Sequence, residues 1–397
     1  ALLRCVLHCN RAAAWCRLGR WSAAAADARR AAEQKPDFAK ARCRLAVALL
    51  GGGETEQAYA EFGRALQLEP GSRAALQGRQ ACVALLPLWR SLAARRRHQE
   101  RFGADLRRPP GSTKVYCISD VHFDHRVNEE WAHRIDDFKF QEDVLILAGN
   151  VGDTKHALIR ALRTFKAKFR RVFYVPGNHE LALHPSEASR HPDSLAKLFA
   201  IFAACDELGV DVVSDAVCED VFVAPIHSWY NAEFDERDPW PDPQDNTNPL
   251  CRWPLDPDDQ VWKFMLKLNE GFLGLPYHGT VITFSHFLPR RNLPVPEMHG
   301  KPATKVAGCE RIDDQVRAVR SKVHIYAHSY EKYSSFQQGI HYVNHPLNTD
   351  DQMQIFEDSF SPMLMIYDGR SVCMRPADIS GQGLPALSVS YSDAWLA

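Results

Sequence analysis

No run of about 18 apolar residues occurs anywhere in the sequence, so it offers no helix able to span a bilayer. Neither sign of charge dominates: 48 Lys and Arg stand against 49 Asp and Glu, leaving no global field to draw nucleic acid or an anionic membrane. No two cysteines have the C-x-x-C spacing, and their number, 11, is odd. That disfavours a disulfide framework and implies free thiols in a reducing, cytoplasmic compartment. What is present is an ordinary apolar fraction, 45% of 397 residues, enough for two or three domains with cores of their own. The chain begins at Ala1 inside a helical pattern, so a preceding stretch, with any targeting signal it carries, is expected.

Three short segments and a pair of histidines carry the chemistry. They are Asp120-Val121-His122, Gly149-Asn150-Val151-Gly152-Asp153, Gly177-Asn178-His179-Glu180, and then His286 and His328. Each follows a short apolar run, VYCIS, VLILA, VFYVP, VITFS and VHIYA in turn, that reads as a buried strand. Ligands at the carboxyl ends of parallel strands converge on one sheet edge. Asp, His and Asn there are oxygen and imidazole donors suited to Mn, Zn or Fe. Taken singly, Asp120 reads as a turn residue or helix cap, Gly177-Asn178 as a turn, Asn150 as an Asx turn and Asp153 as the N-cap of a helix near Thr154.

In this order the segments resemble the calcineurin-like metallophosphoesterases, over roughly residues 113–370. That family reads D-x-H, G-D-x-x-D, G-N-H-[DE], a lone His and G-H-x-H. The resemblance implies a four-layer α/β/β/α sandwich and phosphoric ester hydrolysis by a metal-bound hydroxide, using one or two divalent ions. It places Asp120 and His122 on a first metal, with Asn150 between the two, and Asn178, His286 and His328 on a second. His179 is then the catalytic acid beside the scissile bond.

Two positions depart from the pattern. Asn150 stands where the family has the carboxylate that bridges both metals, and Tyr330 where it has a second His on the first metal. Dications about 3.5–4 Å apart repel by roughly 20 kcal/mol even at an effective dielectric near 20, and a neutral amide supplies no charge to hold them. One well-bound metal is therefore expected, although a hard cation that lowered the Tyr330 pKa would gain a phenolate ligand for the first site. The alternative is a catalytically degenerate fold acting as a scaffold or interaction protein.

The first 75 residues form a different object. A shift of 34 superimposes Gly19 on Gly53, Ala24 on Ala58, Ala31 on Ala65, Pro36 on Pro70 and Trp15 on Leu49. This resembles the tetratricopeptide repeat, a helix-turn-helix unit with alanines for close packing. Two repeats bury little surface, so a further upstream repeat and a capping helix over about Arg73–Arg97 are expected. Asn10, Lys40 and Arg44 fall on the inner helices one turn apart. They resemble the clamp that grips acidic C-terminal peptides of chaperones or other proteins. The alternative is an ordinary solvated face.

The domains expected are an all-α repeat array with its cap over 1–105, a linker over 106–112, the phosphoesterase domain over 113–375 and a tail over 376–397: an α+β multidomain chain. From Asn231 to Gln260 the sequence is dense in Asp, Pro and Trp and lacks either period, as a lid or surface loop would; Trp240 and Trp253 favour a packed lid. Asp153, His227, Arg290, Arg291 and Tyr330 are candidates for contact with substrate or with the metal ligands.

Overall fold

The computed structural model describes residues 2–83, 85, 111, 113–187, 190–235, 250–254, 261–298, 301–302, 304–347 and 362–373. The basic stretches Arg95–Arg97 and Arg107-Arg108, most of the proposed lid with Trp240, and the tail over 376–397 lie outside the described residues. The chain divides into two compact units, one comprising Ala1–Ala93, Leu183–Ile201 and Cys251–Pro254, the other the remainder.

The first unit is helical: α1 (Leu2–Arg17), α2 (Trp21–Gln34), α3 (Ala39–Gly51), α4 (Thr55–Leu68) and α5 (73–83). The period of 34 maps onto its geometry. Gly19 and Gly53 end α1 and α3 at φ of 67° and 85°, a left-handed turn that a Cβ would strain. Ala24, Ala31, Ala58 and Ala65 are all fully buried, which lets neighbouring helices approach closely. Of the capping helix, 73–83 is described. Leu183–Ile201 belongs to this unit as well. The Tyr59 hydroxyl donates to Asp193 at 3.1 Å, Arg79 of α5 pairs with the same carboxylate, and Phe199 meets Tyr59 edge-on at 5.4 Å. A boundary drawn along the sequence does not foresee a segment from beyond Glu180 in the helical unit.

In the second unit, strands β1 (Val115–Ile118), β2 (Val144–Leu147) and β3 (Arg171–Tyr174) are parallel, and β12 (Leu364–Tyr367) runs antiparallel to β1 at the edge. A second sheet has the order β10-β11-β9-β6-β5-β4. It is built from β4 (Asp215–Cys218), β5 (Val221–Pro225), β6 (Thr280–Phe284), β9 (Val323–Tyr326), β10 (Tyr333–Gln337) and β11 (Ile340–Asn344), with β5, β6 and β9 parallel. Residues 297–298 and 301–302 form a small pair, β7 and β8. Val115, Ile146 and Phe173 from one sheet share a buried core with Val223, Ile282, Phe284 and Ile325 from the other. Strands covered on both faces read as continuous apolar runs, which is why the five runs were visible. Helices α6 (Arg126–Arg134), α7 (Lys155–Lys168), α8 (Asn178–Leu181), α9 (Ser194–Leu208), α10 (Val261–Lys267), α11 (Glu270–Leu273) and α12 (Arg311–Ala318) complete the chain. Chain-wise, this is a helical array followed by a mixed α/β domain of two sheets. No helix among the described residues is long and apolar enough to cross a membrane.

Candidate metal centre

The ends of β1, β2, β3, β6 and β9 deliver Asp120, Asn150, Asn178, His286 and His328 to one place. The loops after β1 and β2 are locked together by backbone bonds, Asp120 N to Gly149 O and His122 N to Asn150 O, both 3.0 Å. Two glycines make this approach feasible. A Cβ on Gly149, whose φ is 87°, would come within 2.5 Å of His286 Nδ1, and one on Gly177 would collide with the Asn150 amide oxygen. Among the described residues seven non-glycines have positive φ, and five of them are Asp120, His122, Asn150, His328 and Tyr330. Backbone strain of this kind concentrates at functional sites, where the surrounding fold enforces it.

Glu180, quoted in a motif but given no role from the sequence, braces the site. Its buried carboxylate accepts from the amides of Asn150 (3.1 Å), Val151 (2.5 Å), Gly152 (3.4 Å) and Gly177 (2.9 Å). Burial nonetheless raises its pKa. The [DE] at the end of G-N-H-[DE] was the available signal. Ser119 is a second such residue, donating to Asp120 Oδ2 at 2.7 Å.

Burial keeps His286 and His328 neutral. Burial drives the His286 pKa well below its ordinary value, with His328 adding to the fall, and drives that of His328 down to about 3. His286 Nδ1 lies 3.0 Å from the Ala148 carbonyl, which only accepts, so Nδ1 carries the proton and Nε2 the lone pair. That Nε2 faces the Asn178 amide oxygen at 3.0 Å. Both ring nitrogens of buried His328 lack a hydrogen-bond partner of ordinary geometry, although the Val306 carbonyl exerts a small opposing pull on its pKa. Converging acceptors and an orphaned imidazole are the donor chemistry of a cation site, and these three residues fit one.

On the other side, Asp153 joins two imidazoles, lying 3.3 Å from His122 Nδ1 and 3.1 Å from His179 Nδ1. Burial works to raise its pKa, but the two histidines outweigh it and hold the carboxylate ionised. Burial works to lower the His122 pKa, and Asp153 reverses that. Thr154, rather than Asp153, caps α7, accepting from Ala157 N at 3.1 Å, which leaves the Asp153 carboxylate for the histidines. His122, Asp153 and His179 offer donor atoms within 4.8 Å of one another. Asn150 Nδ2 donates to Asp120 Oδ1 at 3.1 Å and to the Tyr330 hydroxyl at 3.3 Å, and that hydroxyl is 3.3 Å from His122 Nε2.

Three sequence candidates sit elsewhere. His227 donates from Nε2 to the Val212 carbonyl at 2.8 Å and packs on Phe202, a structural position. Arg290 pairs with Asp313 at 3.1 Å and lies over the Tyr342 ring, and Arg291 pairs with Glu310 at 3.2 Å. Both guanidiniums are engaged by protein partners. In the helical unit Asn10 and Lys40 are exposed and Arg44 half-buried. Burial raises the Cys9 pKa while Arg44 and Lys40 pull it down, which puts both cations beside α1.

Residues 113–329, more than half of the chain, match the profile described as calcineurin-like phosphoesterase. The chain belongs to that family. Its members use divalent metal ions, so the phosphoesterase reading of the motifs stands for the fold and reaction class. Over 99 residues the chain is 31% identical to the [acyl-carrier-protein] phosphodiesterase PptH of Mycobacterium tuberculosis, covering 24% of this chain and 29% of that protein. Over 65 residues it is 45% identical to the Hsp70-Hsp90 organizing protein of Triticum aestivum, covering 16% of this chain and 11% of that protein. The chain thus spans less than a third, and about a tenth, of these curated relatives' lengths. The crystal structure of phosphopantetheinyl hydrolase from M. tuberculosis shares the fold, with a TM-score of 0.52 at 17% identity, over 65% of this chain and 97% of that one.

Proposed function

We propose that this chain hydrolyses a phosphodiester, with one divalent cation (Mn, Zn or Fe) held by Asn178, His286 and His328. The observation that carries this reading is the 3.0 Å approach of His286 Nε2 to the Asn178 oxygen. Two acceptors face each other there, a spacing that ligands about 2.1 Å from a common cation adopt. A bound cation would lower the pKa of a water towards 7 and neutralise phosphoryl charge. His179 donates from Nδ1 to Asp153, so the doubly protonated ring presents Nε2–H to the leaving group as a general acid. The diester preference is drawn from the resemblance to an acyl-carrier-protein phosphodiesterase.

For the helical array we propose that Asn10, Lys40 and Arg44 grip an acidic, carboxylate-terminated peptide. The supports are the placement of both cations beside Cys9 and the resemblance to a chaperone-organizing protein. A second reading, a scaffold without turnover, is favoured by the amide hydrogen that Asn150 turns on Asp120. The test is a panel with the full chain and Mn: an aryl phosphodiester, an aryl phosphomonoester and a phosphopantetheinylated carrier protein. Faster cleavage of the diesters is expected. A monoester preference would overturn the substrate class, and metal binding without hydrolysis of any would favour the scaffold.

A further inference from the structure

The two departures from the family pattern touch each other. Asn150 and Tyr330 are 180 residues apart in sequence, yet the amide nitrogen of one is 3.3 Å from the hydroxyl of the other. Donor and acceptor accounting then fixes a directed chain. An amide nitrogen only donates, so Asn150 gives one hydrogen to Asp120 Oδ1 and the other to the Tyr330 oxygen. His122 Nδ1 faces the Asp153 carboxylate at 3.3 Å, an acceptor, and therefore carries a proton. Its Nε2 meets the Tyr330 hydroxyl. If the ring is neutral, Nε2 accepts the phenol hydrogen; if it is charged, Nε2 is itself a donor. In the first state its lone pair is engaged by the phenol, and in the second there is none. Tyr330 also lies parallel to the His122 ring, at 6.0 Å and 14°.

The first metal position thus fails the test that the second passes. Its one anionic ligand, Asp120, is met by an amide and a serine hydroxyl, and its imidazole by a phenol. We propose that Asn150 and Tyr330 are a matched pair that fills the family's first metal position with hydrogen bonds, so that this chain holds a single cation, at Asn178, His286 and His328. This rests on the metal-dependent reading above. The pairing explains why both positions depart: with Asp at 150 the Tyr330 oxygen would lose the amide hydrogen it accepts, and with His at 330 the Asn150 amide would lose the hydroxyl oxygen it donates to.

The test is metal content of the full chain, stripped with a chelator, saturated with Mn and freed of excess by gel filtration, together with Mn electron paramagnetic resonance. One ion per chain with an uncoupled signal is expected for the parent and for Asn150→Asp or Tyr330→His alone. The double variant should hold two ions and give an exchange-coupled signal. The single ion should disappear in His286→Ala and persist in Asp153→Asn. Two ions of similar affinity in the parent would overturn this inference while leaving the phosphoesterase reading intact. No ion in the parent would overturn both. Loss in Asp153→Asn with retention in His286→Ala would move the cation to the His122, Asp153, His179 group and overturn the inference. Should the double variant not fold, selective 15N labelling of histidine in the parent decides: His122 must carry a proton on Nδ1, and a ring protonated on Nε2 alone would refute the chain.

Discussion

His286 Nε2 and Asn178 Oδ1 stand 3.0 Å apart although their residues follow strands of different sheets. The proposed cation site is therefore made by packing two sheets together and would be absent from either alone. Replacing either residue with Ala should weaken Mn binding by more than the roughly 10–100-fold that loss of an outer-sphere partner costs. Calorimetric titration of the full chain measures this, and unchanged affinity in both variants would refute the assignment.

Glu180→Ala strands four buried amides at the heart of the site. An abandoned buried donor costs about 1–3 kcal/mol, so unfolding free energy should fall by at least about 3 kcal/mol. Glu180→Gln keeps one acceptor oxygen and should lose less. Urea denaturation distinguishes the two, and equal stability of all three proteins would mean that the brace carries no weight.

Lys40→Ala and Arg44→Ala should each weaken binding of an acidic, carboxylate-terminated peptide, since a charge-assisted bond contributes about 1.5–3 kcal/mol. That is roughly a 10-fold to 150-fold rise in Kd. Peptide fluorescence anisotropy reads it directly, and a Kd within twofold of the parent for both variants would show that this groove is no clamp.

Burial holds the carboxyl of Asp215 up to about 6, against the pull of Arg171 at 3.0 Å. Its folded pKa thus exceeds the ordinary value of 3.8, so the folded state binds this proton more tightly than the unfolded one. The stabilising contribution is complete below about pH 4 and is lost as pH rises through about 6. Asp215→Asn should flatten that part of the Tm profile between pH 4 and 7. An unaltered slope would contradict it.

The strand runs and the repeat period were legible because each reflects one physical demand, burial on both faces for VLILA and helix contact for Ala24, Ala31, Ala58 and Ala65. The ligand positions were legible through their order along the chain. What was hidden depends on orientation. Arg290 carries the same guanidinium as any phosphate-binding arginine, yet Asp313 claims it from 23 residues away. His227 ends a strand as His286 does, but its ring turns to Val212. The hydrogen bond between Asn150 and Tyr330 joins positions that look like two separate losses in sequence. The membership of Leu183–Ile201 in the helical unit draws on the contacts of Asp193 and Phe199 with Tyr59, residues with no pattern around them.

The most direct test removes and restores the metal. The full chain, stripped by a chelator, is assayed on an aryl phosphodiester before and after addition of Mn, beside His328→Asn treated identically. Hydrolysis should vanish on stripping, return with Mn in the parent, and stay at least 100-fold lower in His328→Asn, a loss of about 2.7 kcal/mol of transition-state stabilisation. Hydrolysis that survives the chelator, or that returns fully in His328→Asn, would contradict the account.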